Sequence, residues 1–311
     1  MTAAAIVICV IGATQATAEN YLFSYFTGNG EDGLHLACST DGLKWTALNG
    51  GKSLLAPSVG GKLMRDPCIC QGPDGTFHLV WTSGWWDKGI GIAHSEDLIN
   101  WSEPKWLPVM AHEPNAVNCW APEIFYDDAT QQYLIFWATT IPGRFPQTEQ
   151  IPGDQAQGVT LNHRIYCTRT ADFKTYSDTK LFYNDGFNAI DATLAKDGDR
   201  YVMFVKDETK APVAKKHIRI ATADKAEGPY GHASAPFTPD WVEGPTSLKI
   251  GDTWYVYYDG YTRHRMEGSK SKDLKTWESI TDQLSFPRGV RHGTAFKVSD
   301  EIAARLKALG S

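Results

Sequence analysis

Cysteine is scarce in this chain of 311 residues: there are six, and their spacing shows no paired pattern. One of them, Cys9, lies in an N-terminal segment that reads as removable, and the odd count left behind argues against a disulfide framework. Cys68 and Cys70, two apart on one side of an expected strand, fit core packing better than metal binding. Runs of lysine or arginine are missing, and the formal charge is −6. Such a balance offers no long-range attraction to a phosphate backbone, so nucleic acid is not an expected partner. Long apolar runs are also missing beyond residues 3–13, Ala-Ala-Ala-Ile-Val-Ile-Cys-Val-Ile-Gly-Ala. With Ala16-Thr17-Ala18 after it, that run reads as a signal peptide over residues 1–18, leaving 19–311 as a secreted or periplasmic chain. It lacks a basic start, and a buried strand is the alternative reading. No other stretch is long enough to span a bilayer, so no membrane association is expected after cleavage.

Aromatic residues, in contrast, are plentiful: 11 Trp, 13 Tyr and 13 Phe. Their flat faces and polar edges suit hydroxyl-rich ligands such as sugars. A second abundant feature is repetition. An element of the form Ser/Thr-x-Asp, followed by an aromatic, occurs at Ser39-Thr40-Asp41 with Trp45, Ser95-Glu96-Asp97 with Trp101, and Thr170-Ala171-Asp172 with Tyr176. A looser copy is Thr222-Ala223-Asp224 with Tyr230, and the last is Ser271-Lys272-Asp273 with Trp277. Each interval holds three strand signals separated by Gly/Asp turns, for example 67–71, 76–82 and 90–95. This period predicts four-stranded blades, and five copies predict an all-β, five-bladed β-propeller. The fifth blade is split: residues 293–298 would form its inner strand, and 21–26 with 34–39 its outer strands. Pairing the two chain ends would close the ring and remove open sheet edges. An open β-sandwich of repeated hairpins is the simpler alternative, which five in-phase copies weigh against. Residues 299–309 read as a terminal helix capped by Ser299, and 141–162 as a long loop bordering a binding site.

In a propeller the inner strands surround a central channel, so their starts converge on one face. Those starts read Arg65-Asp66-Pro67, Trp120-Ala121-Pro122-Glu123, Ile190-Asp191-Ala192, Glu243-Gly244-Pro245 and Arg291-His292-Gly293-Thr294. Four present a carboxylate and the fifth an Arg-His pair. Clustered carboxylates cost desolvation and repulsion unless they are used or neutralised.

This order of motifs, one per blade, resembles glycoside hydrolase family 43. The resemblance implies that Asp66 is the general base, that Asp191 tunes and orients the acid, and that Glu243 is the general acid. It implies inversion at the anomeric carbon, and a calcium ion, held largely through water, in the channel beside His292. Glu123 stands where many relatives have Asp, and Ala192 where Pro is common, which bears on substrate preference. The residues agree with these roles, because glycoside hydrolysis needs one carboxylic acid and one carboxylate, and the acid needs a nearby charge or apolar wall to stay protonated. Arg65, Trp85, Trp120, Glu123, Trp241 and Arg291 are the candidate contacts to an oligosaccharide or polysaccharide, with Arg263 and Arg265 open to either substrate binding or neutralising acids.

The implied activity is exo-acting release of terminal α-L-arabinofuranosyl units from plant polysaccharide side chains. β-Xylosidase and exo-β-galactosidase activities of the same family are the alternatives. A retaining fructosidase is disfavoured because neither an Asn-Asp-Pro motif before Arg65 nor a Glu-Cys acid motif after it is present. A propeller that only binds glycans is disfavoured by the intact acids.

Overall fold

The computed structural model describes residues 19–149, 155–156 and 158–309, and the expected signal peptide lies outside them. Five small antiparallel sheets form the blades of a propeller. Taking each blade from its inner strand outward, blade 1 comprises Arg65–Gln71, Phe77–Thr82, Ile90–Ser95 and Lys105–Leu107. Blade 2 comprises Trp120–Asp127, Gln132–Thr140, His163–Thr170 and Lys180–Tyr183. Blade 3 has three strands, Ala189–Asp197, Arg200–Asp207 and His217–Ala223. Blade 4 comprises Glu243–Ile250, Thr253–Gly260, Arg265–Ser271 and Glu278–Ser279. Blade 5 joins the ends of the described chain, with Ala295–Val298 pairing Asn20–Tyr25, followed by His35–Ser39 and Thr46–Ala47.

The repeated Asp element is a turn between the two outer strands of a blade. In blade 5, Asp41 Oδ1 accepts from the amides of Leu43 and Lys44, and the Ser39 hydroxyl accepts from Gly42. Asp97, Asp172 and Asp273 make the same pair of amide bonds in blades 1, 2 and 4. These Asx turns let a short polar side chain replace backbone partners lost at the bend. The looser copy at Asp224 makes no such bonds among the described residues, and blade 3 has no fourth strand.

Second strands are apolar almost throughout because both faces are covered, and successive side chains point to opposite neighbours. In blade 1, Phe77, Leu79 and Trp81 join Leu22 and Leu36 of blade 5, while Val80 joins Ile135 and Trp137 of blade 2. Met203 and Val205 of blade 3 turn toward blade 2, and Val202 and Phe204 toward blade 4. Each such side chain contributes about 1.5–3 kcal/mol by leaving water, so the blade interfaces form the core. The terminal helix, Asp300–Ala308, has Ser299 Oγ accepting from the Ile302 amide and buries Ala303 and Leu306 beneath blades 5 and 1. Among the described residues of 141–162 are a short helix, Pro146–Glu149, and a hairpin of Gln155–Ala156 with Val159–Thr160.

Four inner strands begin with the same irregularity. Register shifts fall between Arg65 and Cys68, Trp120 and Glu123, Ile190 and Thr193, and Glu243 and Thr246. The second residue of each start has positive φ: Asp66 at 53°, Ala121 at 45°, Asp191 at 50° and Gly244 at 57°. These bulges turn side chains out of the sheet alternation and aim them at the channel mouth.

Candidate active site

The bulges place Asp66 and Asp191 at equivalent positions, whereas Glu243 stands one residue earlier in its strand start. All three meet around His292, which is buried at the start of the closing blade. Its Nε2–H donates to Asp66 Oδ1 at 2.8 Å, and its Nδ1–H to Asp259 Oδ2 at 3.3 Å, with Glu243 Oε1 at 3.7 Å. Burial works against charge on the ring, but bonds to Asp259 and Asp66 outweigh it and raise the pKa to about 10. His292 is therefore an imidazolium between carboxylates.

Asp66 is held ionised. Burial would raise its pKa, but the bond from His292, the nearby Arg65 charge and a 2.6 Å bond from the Thr82 hydroxyl bring it far below the usual carboxylate range. The same hydroxyl accepts from the Ala121 amide at 2.8 Å, tying blade 1 to blade 2. Asp191 behaves in the opposite way. Burial first, then the charges of Glu243 and Asp66, raise its pKa to about 6 despite Lys206 and His292.

Glu243 also resists charge through burial, yet Lys206, His292 and Arg291 hold its pKa below the ordinary value. Lys206 Nζ lies 3.1 Å from Oε2, and Arg291 donates to Oε1 at 2.8 Å. Lys206 is 2% exposed and also meets Glu208 Oε2 at 2.5 Å, while Glu208 pairs with Lys216. Arg291 is more open, at 29%, and its Nε donates to Asp259 at 2.5 Å.

Lys206, Asp259 and Thr82 were not legible as site residues from the inner-strand starts alone. Each is on the second strand of its blade, opposite an inner-strand start: Ile190 pairs with Lys206, Glu243 with Asp259, and Arg65 with Thr82. The signal was a polar residue closing an otherwise apolar strand, as in Tyr201-Val-Met-Phe-Val-Lys206.

The expected sugar contacts divide by depth. Trp85 and Trp241 are partly exposed, at 38% and 36%. Trp120 packs edge-on to Trp85 and donates its indole N–H to the Trp85 carbonyl at 2.8 Å. Arg65 is nearly buried, its guanidinium 4.4 Å from the Trp85 ring and 4.7 Å from Phe26, and it bonds Asn29. Glu123 lies deeper than expected of a sugar contact. It aligns with Cys68 and Thr193 beyond the bulges and accepts from both, at 3.3 and 3.0 Å. Burial, aided by Asp191 and Asp66, raises its pKa to about 8, so it serves the channel as a neutral acid. Arg263 and Arg265 share the buried Glu267, neutralising an acid as one of their two readings allowed.

Among the described residues, Glu243, Asp259 and His292 offer ligand atoms within 4.8 Å of one another, a group able to hold a metal ion beside His292. Lys206 and Arg291 already pair with these carboxylates, so protein cations compete with an ion for the same position. The cavity between Asp66, Glu123, Asp191 and His292 measures about 20 Å³, room for one water, whereas calcium takes 6–8 oxygen ligands.

A family model described as "Probable glycosyl hydrolase domain", related to glycoside hydrolase family 43, matches residues 17–303. The chain belongs to this family. Its five blades are shared by solved glycoside hydrolase family 43 structures. An α-L-arabinofuranosidase from Lactobacillus brevis is 19% identical, with a TM-score of 0.50 over 73% of each chain. The arabinanase Arb43A of Bacillus subtilis is 17% identical, with a TM-score of 0.50 over 71% of this chain and 77% of that one. An exo-β-1,3-galactanase from Clostridium thermocellum is 13% identical, with a TM-score of 0.51 over 69% and 47%. A curated α-L-arabinofuranosidase of Bifidobacterium longum subsp. longum is 23% identical in an alignment of 239 positions that covers 65% of this chain. The match spans 22% of that relative's length.

Proposed function

We propose that this family 43 chain is an inverting glycoside hydrolase in which Asp66 is the base, Glu243 the acid and Asp191 the residue that tunes it. The observation that carries the reading is the sharing of one imidazolium by Asp66 and Glu243, with Asp191, its pKa raised to about 6, beside them. Asp66 would remove a proton from a water as its oxygen attacks the anomeric carbon. Glu243 would pass its proton to the leaving oxygen as the glycosidic bond breaks. The products leave Asp66 protonated and Glu243 ionised, and exchange with solvent resets both.

For Glu243 to donate, substrate must raise its pKa. Exclusion of water strengthens the effect of burial and of the Asp191 charge. Arg291, the most exposed of its three cationic partners, is the one able to turn to sugar hydroxyls, while buried Lys206 and His292 stay. The two carboxylates face opposite nitrogens of one ring, at 2.8 and 3.7 Å, so they flank it from either side.

We further propose terminal α-L-arabinofuranosyl units as the substrate, supported by the two arabinofuranosidases among the similar proteins and by the exposed Trp85 and Trp241. The charge balance in the channel is supplied, in this reading, by His292, Arg291 and Lys206. Hydrolysis of 4-nitrophenyl α-L-arabinofuranoside followed by proton NMR tests the proposal: the first-formed sugar should have the opposite anomeric configuration to the substrate. A retained configuration would overturn the inverting mechanism. Turnover only of the β-xyloside or β-galactoside would move the substrate to those alternatives.

A further inference from the structure

A groove of about 700 Å³ runs outward between blades 4 and 5 and shares Asp259 and Arg291 with the Glu243 cluster, but no residue with Asp66. It reaches Glu243 through Arg291 and Asp259, whereas Asp66 and its partners His292 and Thr82 do not line it, so it is the groove open to a leaving group protonated by Glu243. This inference rests on the reading of Glu243 as the acid. Tyr261 and Phe286 supply aromatic surface within it.

The charges in this groove are unusual for a chain of formal charge −6. Arg288 is exposed in the groove and has no ion pair or hydrogen bond among the described residues. Arg265 is also exposed and bonds Glu267 through Nε alone, at 3.1 Å, while Arg263 takes the same carboxylate with two bonds at 2.6 and 2.8 Å. Two guanidinium groups thus share one buried acid, and the outer nitrogens of Arg265 remain open. His264 stands between them in sequence and also lines the groove. The opposing charge among the lining residues is Asp282, since Asp259 is occupied by Arg291 and His292.

We propose that this groove binds the leaving-group side of an acidic glycan, with Arg288 and Arg265 recognising the carboxylate of a uronosyl unit. A planar fork of N–H donors matches a planar carboxylate, and the aromatic surface suits the sugar ring that carries it. The substrate class is then a side-chain glycoside attached next to a uronic acid.

Calorimetric titration of the Asp66→Asn variant, which would hold ligand without consuming it, tests this directly. The probes are trigalacturonate, neutral galactotriose and a sulfated galactotriose. Trigalacturonate should bind at least about tenfold more tightly than galactotriose, a preference of the size one charge-assisted contact provides. Adding Arg288→Ala should reduce the preference to near unity, and Arg288→Lys should restore part of it. Arg265→Lys should lower it without removing the Glu267 pair. Equal affinity for acidic and neutral probes would overturn the proposal. So would a preference insensitive to Arg288, or one confined to the sulfated probe. Because the titration reads binding alone, failure of this proposal and failure of the hydrolase reading give separate results.

Discussion

The Gly244 amide donates to Asp191 Oδ2 at 3.0 Å, so the residue after Glu243 is bonded to the carboxyl group proposed to tune it. Gly244 has φ of 57°, and a Cβ there would lie 2.1 Å from His292 Cγ. One glycine thus fixes Asp191 and leaves space for the imidazolium. Gly244→Ala should displace His292, lower the melting temperature and reduce turnover, because the overpacked ring sits in a buried site with no slack. Differential scanning calorimetry beside an aryl glycoside assay checks this, and a variant of unchanged stability and rate would refute the packing argument.

Asp66→Asn and Glu243→Gln should each lower turnover by about 10²- to 10⁴-fold. The two losses should differ with the leaving group. Without the acid, an oligosaccharide with a poor leaving group should suffer more than a nitrophenyl glycoside, whereas loss of the base should affect both alike. Steady-state rates on the two substrate types separate the roles.

Two substitutions should move the alkaline limb of the pH–rate profile in opposite directions. Lys206 lowers the Glu243 pKa, so Lys206→Met should raise it and extend activity to higher pH. Asp191 adds negative charge once it ionises above about pH 6, so Asp191→Asn should shift the limb to lower pH. General damage to the site would not reverse sign between the two, and profiles of kcat/KM over pH 5–9, at roughly half-unit steps, decide it.

The His292 pKa is raised from 6.5 to about 10. A raised folded-state value means that its stabilising contribution is complete below about pH 6.5 and is lost as pH rises through about 10. His292→Gln should flatten the decline in melting temperature over that window relative to the unsubstituted chain. A decline of the same slope in both would show that other groups, among them tyrosines, govern alkaline unfolding.

Removal of divalent ions should leave both stability and turnover unchanged, because the acids around His292 are neutralised by protein cations. Melting curves with and without EDTA check this. A fall in melting temperature that calcium alone reverses would place an ion in the channel after all.

The propeller itself was legible in the sequence because its signals are local and repeat. An Asp turn needs only Asp97 and the amides of Ile99 and Asn100, and the apolar run Phe77–Thr82 declares a strand covered on both faces. Asp66, Asp191 and Glu243 were legible for a related reason: each begins an inner strand, and the ring brings those starts together whatever lies between. Tertiary structure alone decided their electrostatics. Lys206 and Asp259 enter the site through cross-strand register with Ile190 and Glu243, a pairing across a bulge that spacing along the chain does not specify. Depth was decided in the same way. Glu123, beyond its bulge, falls beside Cys68 and Thr193 in the channel, although its motif reads like those of the other acids. Residue type and period determined which carboxyl groups meet, while the burial and the cationic neighbours that the fold assigns to each determined which are charged, because protonation depends on three-dimensional surroundings.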